Sequence, residues 1–300
     1  MTSHLSSPDQ MLPLAASQLT DLIELGTVTD IEVAWPDHSG HVLGKRIPAS
    51  QFTDRAAGPG FPFCSAALAW NAAGDVVSGV RLSSSDNGFP DVFAIPDPPT
   101  ARPVPWRSGA WQVLADMVDH HRHPVATSPR QVLRQVIARL ARLGYTARVG
   151  VELEFFVLRS DGSLFQDGVQ AYSLEKSNEL DPLLGAITGL GEFVPVEGAQ
   201  TEYGPGQVEV NLAHAEPLSA ADDAFRLRYA IKELARQHGL VATFMAKPFS
   251  GRSGSSSHVH VSLWQDGEPA PPYAATGPAP GELSTTPVTA PVSGQPPPAA

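Results

Sequence analysis

A single cysteine, Cys64, in 300 residues excludes an internal disulfide and any zinc site built from thiolates, and it fits a reducing compartment. Basic residues are also scarce. Twenty Lys and Arg stand against 31 Asp and Glu, a net charge of -11, so the chain as a whole repels nucleic acid and anionic membrane. No Lys or Arg lies beyond Arg252. No apolar run approaches the ~18 residues of a membrane span, and Met1 to Pro13 has neither the basic start nor the apolar core of a secretory signal. These absences predict a soluble, cytoplasmic protein with no nucleic-acid or membrane partner. What is present is 42% hydrophobic residues, enough to bury the core of one large domain or two ordinary ones. Proline is in excess: 29 residues, about twice the ~5% of average usage, with roughly a third of them after Glu268.

Apolar residues at helical spacing between Met11 and Leu25 predict a first helix stopped by Gly26. Thr29 to Trp35 alternates as a strand, Pro36 to Gly40 reads as a turn, and His41 to Ile47 as the returning strand. Residues 51–110 hold short apolar stretches (Ala66 to Trp70, Val76 to Leu82, Val92 to Ile95) among Gly, Pro, Ser and Asp, the pattern of short strands in irregular loops. Ser128-Pro129 offers an N-cap and a proline at N1 for a helix ending at Gly144. Ala147 to Leu158 reads as a buried strand, Glu179 to Leu190 as a helix and Gln207 to Leu212 as an alternating strand. Ser219 with Asp222 resembles a capping box for a helix that stops at Gly239. Val241 to Met245 and His258 to Trp264 are strands flanking a Gly/Ser loop. Glu268 to Ala300 has no apolar face to bury and is expected to be disordered.

Three of these strands carry chemistry. Side chains two apart share a strand face, about 6.6 to 6.8 Å from one another, so Glu152 and Glu154 lie together opposite Val151, Leu153 and Phe155. In the second strand Gln207, Glu209 and Asn211 oppose Val208, Val210 and Leu212, and Glu202 stands just before a Gly-Pro-Gly turn that can fold it beside Glu209. In the third, His258, His260 and Ser262 oppose Val259, Val261 and Leu263. One Glu-x-Glu alone is most simply a solvated rim. Three such strands instead predict a sheet packed on one face and lining a site on the other. Glutamates and histidines without cysteine form an oxygen-rich set that favours Mg²⁺ or Mn²⁺ over zinc. Paired hard cations neutralise charge as a phosphoryl group moves. The residues therefore point to metal-dependent phosphate chemistry on a small substrate.

Gly150-Val151-Glu152-Leu153-Glu154-Phe155-Phe156, Glu202-Tyr203-Gly204-Pro205-Gly206-Gln207-Val208-Glu209, Ala221-Asp222-Asp223, Thr243-Phe244-Met245-Ala246-Lys247-Pro248-Phe249 and His258-Val259-His260-Val261-Ser262-Leu263 resemble, in order, the motifs of the glutamine synthetase family. The resemblance spans about Thr29 to Trp264. Gly88-Phe89-Pro90-Asp91-Val92, Ile95-Pro96-Asp97 and Pro105-Trp106 look like the branch that ligates glutamate to amines or polyamines. The resemblance implies an α+β chain: an N-terminal helix (1–27), a β-grasp domain (28–108), an incomplete catalytic domain with a curved antiparallel sheet and helices (109–267), and a Pro/Ala-rich tail (268–300). It also implies ringed homo-oligomers with the active site between neighbours. ATP phosphorylates the side-chain carboxylate of glutamate, and ammonia or an amine displaces the phosphate. By motif, Glu154, Glu202 and Glu209 would hold the cation that organises glutamate and amine, and Glu152 and His258 the cation on the ATP phosphates. His260, Ser262 and Glu197 match nucleotide-side positions, and Gly254 matches the loop at the glutamate head. Asp75 and Asp86 are both candidates for the acid that the N-terminal domain lends to a neighbouring amine site.

Ser256 stands where the family usually has Gly or Ala, and Ser253 also departs from its pattern. Family members continue beyond the His-x-His strand through an arginine-rich stretch and a further metal-ligand glutamate, a region that the tail replaces here. That departure carries an alternative expectation, a truncated or frameshifted remnant acting at most as a non-catalytic subunit. Other features read plainly: His120, His121 and His123 as a loop, Cys64 as a buried thiol, and Lys247 as either a phosphate contact or a solvated strand end.

Overall fold

Alternation from residue 29 to 47 folds into an antiparallel hairpin preceded by a short helix. The computed structural model describes residues 16–71, 73–168 and 170–270; the start of the expected first helix and residues 271–300 of the expected tail lie outside them. Helix α1 (Ala16–Glu24) leads into β1 (Asp30–Pro36) and β2 (Val42–Pro48), paired from Asp30↔Pro48 to Pro36↔Val42. After α2 (Ala49–Ala57) come β3 (Phe61–Cys64), β4 (Asp91–Pro96), β5 (Arg102–Pro103) and β6 (Ala110–Val118). The sheet order is β2-β1-β6-β4-β3, with β5 also on β6. β1 and β6 run parallel in its middle, so a strand beyond residue 108 stands at the centre of the first sheet. Ile31, Val33, Trp35, Phe52, Phe61, Val113 and Met117 form its core.

Residues 51–110 are less strand-like than their composition predicts. Ala49–Ala57 is an amphipathic helix that buries Ala49 and Phe52. The stretch from Ala66 runs through a 3₁₀ turn, Ser65–Leu68. Val76 and Val77 are exposed, with only an isolated bridge from Trp70 to Val76. Of the three apolar stretches only Val92 to Ile95 becomes a strand, because only it finds partners on both sides, β3 and β6.

The second sheet is built on β7 (Thr146–Arg159), preceded by α3 (Pro129–Arg142). Then follow α4 (Leu174–Glu179), α5 (Asp181–Thr188), β8 (Val196–Thr201), β9 (Gln207–Leu212), α6 (Pro217–Gln237), β10 (Leu240–Thr243), β11 (Ser257–Gln265) and β12 (Glu268–Pro269). The order is β12-β11-β7-β9-β8, with β10 on the far end of β7, and every pair is antiparallel. α6 packs Leu227, Ala230, Ile231 and Leu234 with Val151, Phe155, Val208 and Val210, each large side chain contributing about 1.5–3 kcal/mol on burial.

The helix expected over 179–190 is α5 at Asp181–Thr188, with Pro182 in its first turn, and a separate short helix, α4, precedes it. Two local expectations are corrected here. Ser219 and Asp222 form no capping box: the cap lies three residues earlier, at Glu216, with Pro217 at the N-terminus of α6. Asp222 is instead held by the buried Arg130 at 2.8 and 2.9 Å, while Arg130 also reaches Asp116 at 2.6 Å and Asp97 at 2.9 Å. That network ties α3 and α6 to the first sheet. Order also continues past Gly267, where Glu268 and Pro269 pair with Gln265 and Trp264. No helix among the described residues is long and apolar enough to cross a membrane.

Candidate active site and metal centre

Period-two alternation in β7 sends Val151 and Phe155 into the core, 7% and 0% exposed, and Glu152 and Glu154 to the other face. Strand register then assembles the site. Glu152 lies opposite His258 on β11 and Asn211 on β9, and Glu154 lies opposite Glu209. Cross-strand neighbours on one face are the closest side-chain pairs a sheet makes.

At the centre, His258 Nδ1 lies 2.9 Å from Glu152 Oε2 and 3.4 Å from Glu209 Oε2. One ligand atom from each of Glu152, Glu209 and His258 falls within 4.8 Å of the other two. His260 Nε2 is 3.3 Å from Glu152 Oε1. Glu154 occupies the next position. Its Oε2 accepts from Gln207 Nε2 at 2.9 Å and from the Ser256 amide at 3.2 Å, and its Oε1 accepts from the Ser256 hydroxyl. The Ser256 hydroxyl also lies 3.2 Å from His258 Nε2.

The charges are unequal in their comfort. Burial pushes the Glu209 carboxyl up, reinforced by Glu152, Glu202 and Glu154, and His258 opposes this. Glu202 is likewise raised by burial and by Glu154, although the Tyr203 amide pulls it down. For Glu152, burial is outweighed by hydrogen bonds with His260, His258 and Asn211, and the group sits below the usual range. For His258, burial is outweighed by Glu152 and by the other acids, so its imidazole holds a proton more tightly than usual. An acid row with Glu209 buried in it, opposed only by an imidazole that these acids bias towards its charged form, is poised to accept a cation.

The remaining expected residues are placed as follows. Glu197 and His260 line a cavity of about 260 Å³ together with Glu152 and Asn211. Ser262 is exposed farther along β11 and accepts from Trp264 Nε1 at 3.0 Å. The Gly254 carbonyl accepts from Gln207 Nε2 at 2.8 Å, and a Cβ at Gly254 would come within 2.8 Å of the Ala246 carbonyl oxygen. Lys247 donates to the Arg252 carbonyl. Asp75 is bound within its own loop to Asn71 at 3.2 Å, and Asp86 sits on an exposed turn. His120, His121 and His123 form an exposed loop, with the amides of His121 and His123 donating to Asp119. Two expectations fail. Cys64 is exposed rather than buried, because it ends β3 with its side chain on the outer face. Val259 and Val261 are about 60% exposed: β11 carries its apolar face beyond the reach of α6, whose partners are β7, β9 and β10.

Three supporting residues were not singled out from the sequence. Gln207 joins Glu154 to the 254–256 loop, Asn211 supports Glu152, and Gln200 Nε2 donates to Glu209 Oε1 at 2.5 Å. The first two share the polar face already read on β9. Gln200 sits on β8, whose Gly and Ala give little strand signal and whose pairing is bulged between Val196 and Gly198.

Residues 126–285 match the family described as glutamine synthetase, catalytic domain. Glutamate–isopropylamine ligase of Pseudomonas sp. is 35% identical over 259 residues, which is 82% of this chain and 56% of that protein. Gamma-glutamylethanolamide synthetase of Streptomyces coelicolor is 35% identical over 268 residues, 85% of this chain and 58% of that protein. The solved structure of apo GmaS without ligand superposes with a TM-score of 0.73 at 27% identity, covering 84% of this chain and 58% of that one. The chain thus spans a little over half the length of these relatives.

Proposed function

The chain belongs to the glutamine synthetase family, and from that premise we propose that it serves the ATP-dependent joining of glutamate to an amine or ammonia through γ-glutamyl phosphate. The observation that carries this reading is the convergence of Glu152, Glu209 and His258 beside Glu154 on one sheet face, with Glu202 in the β8–β9 turn close enough to act on Glu209. The relatives named for isopropylamine and ethanolamide support an organic amine as the acceptor, and nothing in the relatives favours a non-catalytic subunit.

The donor set fits a hard divalent cation, Mg²⁺ or Mn²⁺: it offers carboxylate oxygens and one imidazole, no thiolate, and a buried acid in need of counter-charge. Glu154, Glu202 and Glu209 would hold a cation on the glutamate and amine side, and Glu152 and His258 one on the nucleotide side. Bound there, such cations supply the positive charge that lets a phosphate approach a carboxylate. The chain's own residues set the geometry. Gln207 and Ser256 fix the Glu154 carboxylate, Gln200 fixes Glu209, and Asn211 and His260 orient Glu152. The cavity beside Glu197 and His260 supports placing the nucleotide there, together with Ser262. Gly254 keeps its loop close against Ala246, supporting a role at the glutamate head.

The first sheet, with its parallel central pair, is read as a β-grasp unit, and the division from the catalytic unit is placed between β6 and α3. In a homo-oligomeric ring acting in the cytoplasm, that unit would lend Asp75 or Asp86 to a neighbour's amine site. The test is phosphate release by the purified chain with ATP, Mg²⁺ and glutamate across isopropylamine, ethanolamine and ammonia. Release that requires both glutamate and an amine is expected; release indifferent to glutamate overturns the reading.

A further inference from the structure

Ser256 enters the carboxylate site from a loop that is fastened at three points. The Ser255 amide donates to the Ala246 carbonyl at 2.9 Å, the Glu154 amide to the Ser256 carbonyl at 3.1 Å, and Gln207 Nε2 to the Gly254 carbonyl at 2.8 Å. A loop held in this way presents its side chains in fixed positions.

The Ser256 hydroxyl stands between groups assigned above to different cations. It donates to Glu154 Oε1, while the amide of the same residue donates to Glu154 Oε2 at 3.2 Å, and its oxygen lies 3.2 Å from His258 Nε2. Proton count settles the roles. A carboxylate only accepts, so the single hydroxyl proton goes to Glu154, and a hydroxyl lone pair is left for an N–H on His258 Nε2. Nδ1 is then the nitrogen that faces Glu152 at 2.9 Å and Glu209 at 3.4 Å. Turning the ring over about Cβ–Cγ would put carbon where each nitrogen lies, and the Ser256 and Glu152 contacts would be lost together. The His258 side chain is 50% exposed, so these polar contacts hold its orientation more than packing does. Among the described residues no other side chain hydrogen-bonds both Glu154 and His258. Glycine or alanine, usual in the family at this position, would supply the amide but no hydroxyl. The link is therefore a property of this chain's own sequence.

We propose that Ser256 is a positioning residue that ties the two cation positions into one frame, its hydroxyl setting the His258 ring with Nδ1 toward the acids while it holds Glu154. That role rests on Glu152, Glu209 and His258 being the cation ligands proposed above. A ligand imidazole whose second nitrogen has a fixed acceptor offers its metal one defined atom.

The test uses the full chain labelled with [¹⁵Nδ1]histidine and loaded with Mn²⁺. Calorimetry reads affinity, and pulsed electron–nuclear double resonance tells a ¹⁵N ligand from a ¹⁴N one. The wild type should show ¹⁵N coupling, from Nδ1. S256A keeps the amide and loses the hydroxyl: its Mn²⁺ affinity should fall about tenfold, and ¹⁴N coupling from Nε2 should appear or the nitrogen coupling vanish. S256T, which retains a hydroxyl, should restore both affinity and the ¹⁵N signature. Circular dichroism establishes that each variant is folded. Unchanged ¹⁵N coupling in S256A at any affinity, a wild type that binds through Nε2, or S256T behaving as S256A overturns the proposal. A wild type that binds no Mn²⁺ overturns the cation reading itself and this role with it, an outcome distinct from a wild type that binds and an S256A variant that matches it.

Discussion

Replacing Glu209 by glutamine should stabilise the chain without divalent cations and weaken it relative to wild type when they are present. Glu209 is 6% exposed and feels Glu152, Glu202 and Glu154, with only His258 in opposition. Two unit charges ~4 Å apart interact by about 4 kcal/mol at an effective dielectric of ~20. Most of that is offset by His258 and screened by solvent at the site's open side, leaving a net penalty on the order of 1 kcal/mol. Glutamine keeps the shape and can still accept from Gln200, so in EDTA E209Q should be more stable by about 1 kcal/mol. At a Mn²⁺ concentration one hundred times its dissociation constant, wild type gains about 2.7 kcal/mol. A variant missing one of three converging ligands forfeits most of that gain, and the order reverses. The sign with pH follows from the raised carboxyl. The folded chain binds this proton more tightly than the unfolded chain, so the term favours folding below the ordinary glutamate range and is lost as pH rises through the folded value. Wild type and E209Q should therefore match at low pH and separate in EDTA as pH rises. Urea denaturation followed by tryptophan fluorescence, with EDTA or Mn²⁺, reads these differences. A variant less stable in EDTA that still gains as much from Mn²⁺ as wild type would refute the reasoning.

Three further outcomes are expected. Arg130→Met leaves the buried Asp222 without its counter-charge and Asp116 and Asp97 with Arg134 alone and should cost about 3–5 kcal/mol in urea denaturation; a loss under 1 kcal/mol would show the network to be dispensable. Gln207→Leu frees Glu154 and the Gly254 carbonyl and should lower Mn²⁺ affinity by about 10–100-fold with the chain still folded, measured by titration calorimetry. Leu227→Ala opens a cavity under β7 at a side chain with no exposed surface and should cost about 2–5 kcal/mol.

The acid row was legible because strand period is fixed: once Val151 and Phe155 are inward, Glu152 and Glu154 have one place to go, and the same holds for Glu209 between Val208 and Val210. What the sequence could not show is register. That Glu152 meets both Asn211 and His258 depends on pairings between strands over 50 residues apart. Gln200 was missed for a related reason, since β8 earns its place from β9 rather than from its own Gly-containing sequence. Ser219 shows a local signal losing to a stronger one, as Pro217 at N1 sets the helix start. Val259 and Val261 show the limit of alternation, which reports that a face is apolar but not that anything covers it. Cys64 makes the same point: small apolar neighbours in sequence do not bury a side chain at the end of an outer strand.

The most direct measurement uses glutamate carrying ¹⁸O in its γ-carboxylate, incubated with the purified chain, ATP, Mg²⁺ and isopropylamine. Phosphorylation of that carboxylate followed by amine attack leaves one labelled oxygen on the departing phosphate. Mass spectrometry of the released phosphate should therefore show a single ¹⁸O per molecule, dependent on Mg²⁺ and lost in E154A. Phosphate released without the label would contradict the proposed chemistry.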